Sequence, residues 1–95
     1  MNERYLTIIK FLCERNNISE SEIVKILEDR ECRYLLFLLL KKYGCDDKNK
    51  LKNLLPDTNN RMLTYNFRKA EEKLLVNSSL REKYFELESR LKEMM

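Results

Sequence analysis

The residues best suited to surface chemistry in this 95-residue sequence are basic and polar side chains between positions 41 and 69. This stretch holds eight Lys or Arg residues and three Asp residues, a net charge of +5, whereas the whole chain carries +3. The rest of the chain therefore carries −2, so positive charge is concentrated here. Such a concentration favours contact with the phosphates of a nucleic acid, although an ordinary solvated face of a Lys-rich protein would have the same composition.

A polar run at residues 58–61, Thr-Asn-Asn-Arg, adds groups that can read bases. Asn pairs with adenine and Arg with guanine at the base edges, and Thr and Tyr hydroxyls bind phosphates. The alternative is that residues 58–60 only cap a helix and satisfy its free N–H groups. The predicted DNA-binding residues are Lys48, Lys50, Lys52, Thr58, Asn59, Asn60, Arg61, Thr64, Tyr65, Arg68 and Lys69.

Catalytic and metal chemistry find little support in the sequence. The absence of His removes the commonest general base and the commonest metal ligand. Cys13, Cys32 and Cys45 are odd in number and widely spaced, so neither a disulfide framework nor a zinc site is predicted. We expect buried or half-buried thiols in a reducing cytoplasm. We also expect no enzyme activity, no cofactor, no metal and no small-molecule substrate.

The elements that position the polar run are predicted to be helices. One Gly and one Pro in the whole chain argue against turn-rich β folds. Apolar residues at helical spacing predict helices over residues 3–15 and 20–29, the second opened by a capping box of Ser19 and Glu22. Residues 31–43 are the most apolar stretch and are predicted to form the central core helix. Gly44 stands where the residue after a helix C-terminus is expected.

The second half of the chain predicts three more helices. Asp46 or Asp47 can cap a short one that Pro56 stops. Asp57 or Thr58 can cap a longer one that runs to Asn77. A last helix opens with a second capping box, formed by Ser79 and Glu82. It places apolar residues at near-heptad spacing along one face: Leu80, Tyr84, Leu87, Leu91 and Met94.

The pattern as a whole predicts an all-α, single compact domain over residues 1–95, with five to six helices. Residues 46–75 read as short helix, turn and longer helix, which is the helix-turn-helix arrangement that places a second helix in the DNA major groove. The longest apolar run, residues 35–40, is far too short to span a membrane. We therefore expect a cytoplasmic protein with no membrane partner.

Three stretches of the sequence resemble a known family, the C-terminal DNA-binding domain of the bacterial replication initiator DnaA. They are 33–43 (RYLLFLLLKKY), 51–55 (LKNLL) and 65–74 (YNFRKAEEKL). That domain is an all-helical member of the Trp-repressor-like helix-turn-helix superfamily. The hydrophobic pattern carries the resemblance over nearly the whole chain. The resemblance implies a helical domain that binds double-stranded DNA through its helix-turn-helix.

The recognition motif departs from that family. The family reads its DNA box with a Gly-Arg-Asp-His-Ser/Thr-Thr-Val run, and residues 57–63 (DTNNRML) stand in its place. The departures fit a regulator that reads another sequence or one that does not bind DNA.

Two functions are therefore carried forward. The first is sequence-selective binding of double-stranded DNA in transcription or replication control. The alternative is a helical protein-protein interaction module, an adaptor or antagonist of a replication or transcription factor. A homodimer or protein partner through the C-terminal helix belongs to this alternative and is also compatible with the first.

Overall fold

The computed structural model describes residues 3–94, so the two ends of the predicted domain lie outside the described residues. Within that range every regular element is helical, and the prediction of an all-α fold is confirmed. The radius of gyration is 12.2 Å, close to the value of about 12 Å expected for a compact chain of this length. The helices are α1 (Glu3–Arg15), a 3₁₀ turn (Glu20–Glu22), α2 (Val24–Glu28), α3 (Arg30–Lys42), α4 (Lys48–Leu54), α5 (Asn60–Val76) and α6 (Ser78–Met94).

Helix α3 is the centre of the fold, as its apolar sequence predicts. Residues 34–40 are all buried, which requires neighbours on every side of the helix. Helices α1, α2, α5 and α6 all contact it. Helices α1, α2, α5 and α6 turn apolar residues toward α3, and α4 contacts α5, so one hydrophobic core joins the helices of residues 3–94.

The C-terminus of α3 ends in the geometry that Gly44 predicts. Gly44 adopts a φ of +70°, the left-handed region that a residue with a Cβ enters only under strain. Its N–H donates to the carbonyl of Lys41 at 3.1 Å, and the N–H of Cys45 donates to the carbonyl of Leu40 at 2.7 Å. This pair of bonds is a Schellman motif, which satisfies carbonyls that the helix end would leave free.

The predicted helix over residues 20–29 is wrong in its continuity. It begins as the 3₁₀ turn and continues as the five-residue α2. Ser19 and Glu22 do bond as expected, since the Ser19 N–H donates to the Glu22 carboxylate at 3.0 Å. Asp29 then ends the segment, because its side chain accepts the N–H of Cys32 at 3.0 Å and so caps α3. A short carboxylate that can bond to nearby backbone competes with a continuous helix at this point.

The predicted capping box at the start of the last helix is also wrong. Helix α6 begins at Ser78, and the Asn77 side chain accepts the N–H of Leu80 at 3.0 Å. Asn77 therefore ends α5 and caps α6 with the same residue. The near-heptad stripe of α6 closes the core, because its first four members are buried and only Met94 is exposed. No helix within residues 3–94 has the length and apolar character needed to cross a membrane.

Candidate nucleic-acid interface

The predicted binding residues lie on α4, on α5 and on the turn between them. Leu51, Leu55 and Leu63 are buried and fix both helices to the core. Asp47 caps α4, since its side chain accepts the N–H groups of Asn49 at 2.9 Å and Lys50 at 3.2 Å. One of the two candidate caps named from the sequence is thus confirmed.

The start of α5 differs from the expected cap. Asn59 is the capping residue, because its side-chain oxygen accepts the N–H of Met62 at 2.8 Å. Thr58 instead donates its hydroxyl proton back to the carbonyl of Leu55 at 3.0 Å. Asp57 turns the chain with a φ of +55°. The prediction of Asp57 or Thr58 as the cap is wrong, because both residues form the turn that precedes the cap at Asn59.

Past this cap, the outer face of α5 is polar and exposed. Five residues on three successive turns of α5 line one open furrow on the surface. They are Asn60, Arg61, Thr64, Tyr65 and Arg68. The guanidinium of Arg68 lies 5.9 Å from the centre of the Tyr65 ring, within the range of a cation–π contact. Five of the predicted site residues are therefore brought together on one surface, and none of them is packed into the core.

The positive charge of this face does not continue along α5. The carboxylate of Glu72 lies 3.7 Å from Arg68 Nε and 3.9 Å from Lys69 Nζ. Glu71 is exposed beside it. These two acids lie just beyond the basic stretch of residues 41–69. The surface of α5 therefore changes from positive to negative directly after that stretch.

The lysines of α4 take three different positions. Lys52 is exposed, and it makes no salt bridge with any residue of the range 3–94. Lys50 is half-buried, with its ammonium 5.6 Å from the centre of the Tyr5 ring. Lys48 lies on a second furrow, between α4 and α5, that shares Thr64 and Arg68 with the first one. Of these three lysines, only Lys52 is exposed; the other two are half-buried.

A contact that the sequence does not reveal holds the buried side of α5 against α3. Asn66 is buried although it is polar, with 3% of its surface exposed. Its side-chain oxygen accepts from Arg33 Nε at 3.0 Å, and its Nδ2 donates to the carbonyl of Met62 at 2.9 Å. Periodicity marks position 66 as facing inward, but the spacing of the sequence does not reveal a partner 33 residues away.

The thiols are arranged for structure rather than reactivity. All three are free; Cys13 and Cys45 are buried and Cys32 is half-buried, as predicted. Burial, followed by the nearby Asp29 carboxylate, raises the pKa of Cys32 to about 11. Burial likewise raises the pKa of Cys13 and of Cys45. A thiol is a weak nucleophile and a weak metal ligand while it stays protonated. Within the described residues no three His, Cys, Asp or Glu side chains gather as a metal site would require.

No protein-family model, curated protein or solved structure matches this chain. The geometry of α4 and α5 is therefore the basis for assigning a role.

Proposed function

We propose that this chain binds double-stranded DNA, with α5 as the helix that enters the major groove and residues 46–75 as a helix-turn-helix. The observation that carries this proposal is the exposed furrow at the start of α5, where amide, guanidinium and hydroxyl groups share one outward face. These are the groups that recognise base edges and phosphates. We propose that it acts in the cytoplasm, in transcription or replication control.

The roles of the predicted residues divide according to their exposure. Asn60 and Arg61 are exposed at the first turn of α5 and are assigned to base edges. Asn59 keeps its side-chain oxygen on the helix cap, so only its amide N–H groups are available to DNA. Lys52 and Arg68 are assigned to phosphates, with Lys48, Lys50 and Lys69 as less exposed contributors of charge. Thr64 and Tyr65 supply hydroxyls along the same face.

The resemblance to the DNA-binding domain of the replication initiator remains part of this proposal. Its support is the all-helical fold and the succession of the short α4, a turn and the longer α5. The residues at the start of α5 differ from the family's base-reading run, so we propose a different recognition sequence. A regulator that reads its own site fits both the similarity and the difference.

The experiment is selection of bound duplexes from a random pool, followed by fluorescence anisotropy on the selected site. We expect Arg61→Ala to lose about 1–3 kcal/mol of discrimination at one base position. Arg90→Ala is the matched control, because Arg90 is also an exposed arginine but lies on α6, outside residues 46–75. An absence of binding at micromolar protein in low salt would refute DNA binding. If Arg61→Ala keeps the same preferred site, the role given to Arg61 is wrong.

One observation favours the alternative, a helical interaction module without DNA binding. Phe85 on α6 is 59% exposed and lies on the side of the helix away from the buried stripe. A partner that covers this ring would use the C-terminal helix, as the alternative requires. Light scattering of the chain with and without Phe85→Ser tests whether α6 pairs two chains. Because such a dimer is compatible with both functions, its loss in the variant favours the alternative only when the wild-type chain also binds no duplex of the random pool.

A further inference from the structure

The outer face of α5 carries opposite charges at its two ends. Arg61 and Arg68 stand on the N-terminal part of the face, and Glu71 and Glu72 stand on the C-terminal part. All four are exposed. A face divided in this way is complementary to a second copy of itself when the two helices run antiparallel, because Arg68 of each copy can then meet Glu72 of the other.

The same face exposes apolar groups near both ends. Tyr65 is 46% exposed, and Leu75 and Val76 are each 78% exposed. The first furrow of α5, lined in part by Tyr65, and the second, lined in part by Leu75, share Thr64 and Arg68. The apolar groups and the charges therefore belong to one continuous strip of surface.

We propose that a second copy of this chain docks antiparallel on this strip, with Arg68 of each copy facing Glu72 of the other. Residues at equal distances from the centre of an antiparallel pair lie opposite each other. The pairing of Arg68 with Glu72 places the centre at residue 70, and the same register brings Leu75 of one copy to the level of Tyr65 of the other. Apolar contact at both ends then flanks two ion pairs at the middle.

The charges needed for this pairing are not fully used within one chain. Glu72 lies 3.7 Å from Arg68 and 3.9 Å from Lys69. Direct bonds between a charged nitrogen and a carboxylate oxygen are about 2.7–2.9 Å long, so both contacts are loose. The Glu72 carboxylate can therefore exchange these contacts for the arginine of a second copy.

The dimer covers the face that we assign to DNA. Thr64, Tyr65 and Arg68 would lie inside the helix pair, so one surface cannot hold a second copy and a duplex at once. This mutual exclusion rests on the proposed DNA-binding function, whereas the dimer itself does not. The protein would then regulate its own DNA binding through its concentration.

Sedimentation equilibrium of the full chain in low salt, without DNA, tests the dimer. One helix face gives a small interface, below about 1,200 Å², so we expect dissociation in the range of about 10 µM to 1 mM. Arg68→Glu and Glu72→Arg should each weaken the dimer by about tenfold or more, because each substitution acts twice in a symmetric pair. The double variant R68E/E72R should restore it. Arg90→Glu on α6 is the matched control and should leave the dimer unchanged.

The dimer is refuted if the wild-type chain stays monomeric up to about 1 mM. It is also refuted if R68E/E72R does not recover association or if the Arg90 control weakens it equally. Circular dichroism of each variant verifies the helical fold, since every changed residue is exposed.

Titration with the selected duplex separates the two proposals. Release of monomers as DNA binds supports mutual exclusion, and a complex of two chains on DNA through intact α5 pairing overturns it. Self-association without any DNA binding refutes the proposed function and leaves the dimer. DNA binding by a chain that never dimerises refutes the dimer alone.

Discussion

Arg33 of α3 donates from Nε to the side-chain oxygen of Asn66 in α5 at 3.0 Å, and this bond joins the central helix to the helix that carries the candidate interface. The same guanidinium donates from Nη1 to the carbonyl of Leu27 at 2.9 Å, at the end of α2. A single side chain therefore ties three helices together. Beside it, the rings of Phe37 and Phe67 meet edge to face with centroids 4.8 Å apart. The rotation of α5 about its own axis is set by this buried side.

Removal of the Asn66 amide should destabilise the fold. Asn66→Ala removes the buried acceptor of Arg33 Nε–H, a donor on a half-buried side chain. We expect a loss of about 1 kcal/mol in the free energy of unfolding, because a net hydrogen bond is lost and the donor is only partly shielded from solvent. Urea denaturation followed by circular dichroism measures this loss.

Asn60→Ala is the matched control for that measurement. Asn60 is the same residue type in the same helix, but it is exposed. Its removal should change stability by no more than about 0.5 kcal/mol. Equal losses in the two variants would contradict the structural role given to the bond between Arg33 and Asn66.

The parts of the fold that local chemistry specifies were predictable from the sequence. Gly44 marks the end of α3 because only a residue without a Cβ enters its left-handed backbone freely. The apolar run of residues 35–40 marks the central helix because no exposed helix could hold six such residues in a row. Asp47 was one of two neighbouring candidates for a cap, and the choice between them depends on how the turn after α3 is closed.

The parts that depend on tertiary contacts were not predictable. Asn59 caps α5, within the run 58–60 where the sequence also allowed a cap, although Asp57 or Thr58 was the predicted residue; Asn77 caps α6, whereas Ser79 was predicted. The partner of Asn66 lies on another helix, and no short-range pattern encodes it. The residue types of the candidate interface were predictable from the sequence. That its positive charge ends at Glu72 depends on which side of α5 faces outward.

Substitution of Asn59 tests whether its side chain caps α5. Asn59→Ala removes the acceptor of the Met62 N–H and should cost about 0.5–2 kcal/mol of stability. Asn59→Asp keeps a capping oxygen and should preserve most of that stability. Thermal unfolding of both variants measures the difference. Were Asn59→Ala as stable as the wild-type chain, the capping role would be refuted.

The Glu22 carboxyl, in the 3₁₀ turn before α2, should titrate at an unusually low pH. The Lys25 ammonium donates to the Glu22 carboxylate at 2.7 Å, and the N–H and hydroxyl of Ser19 also donate to it. These bonds lower the pKa of Glu22 from an ordinary value of 4.5 to about 2. A lowered pKa means that the ionised carboxylate stabilises the fold above pH 4.5. This contribution is lost as the pH falls from 4.5 through about 2.

Carbon-detected NMR of the Glu22 carboxyl during an acid titration measures this pKa directly. Lys25→Gln should raise it toward the ordinary value, because the bond to Lys25 is the largest cause of the shift. Ser19→Ala should raise it less, since the backbone N–H of residue 19 remains. A Glu22 carboxyl that titrates near 4.5 in the wild-type chain would show that these bonds do not persist in solution.

The salt dependence of DNA binding tests which lysines contact phosphates. If about 4–6 phosphates are neutralised, the logarithm of the binding constant should fall with the logarithm of salt concentration at a slope of about −4 to −5. Lys52 is exposed on α4 without a salt bridge among residues 3–94, so Lys52→Ala should reduce that slope by about 1. Lys92→Ala removes another exposed lysine, at the end of α6, and should leave the slope unchanged. If both substitutions reduced the slope equally, the effect would come from the net charge of the chain. A phosphate contact at Lys52 requires that only Lys52→Ala reduce the slope.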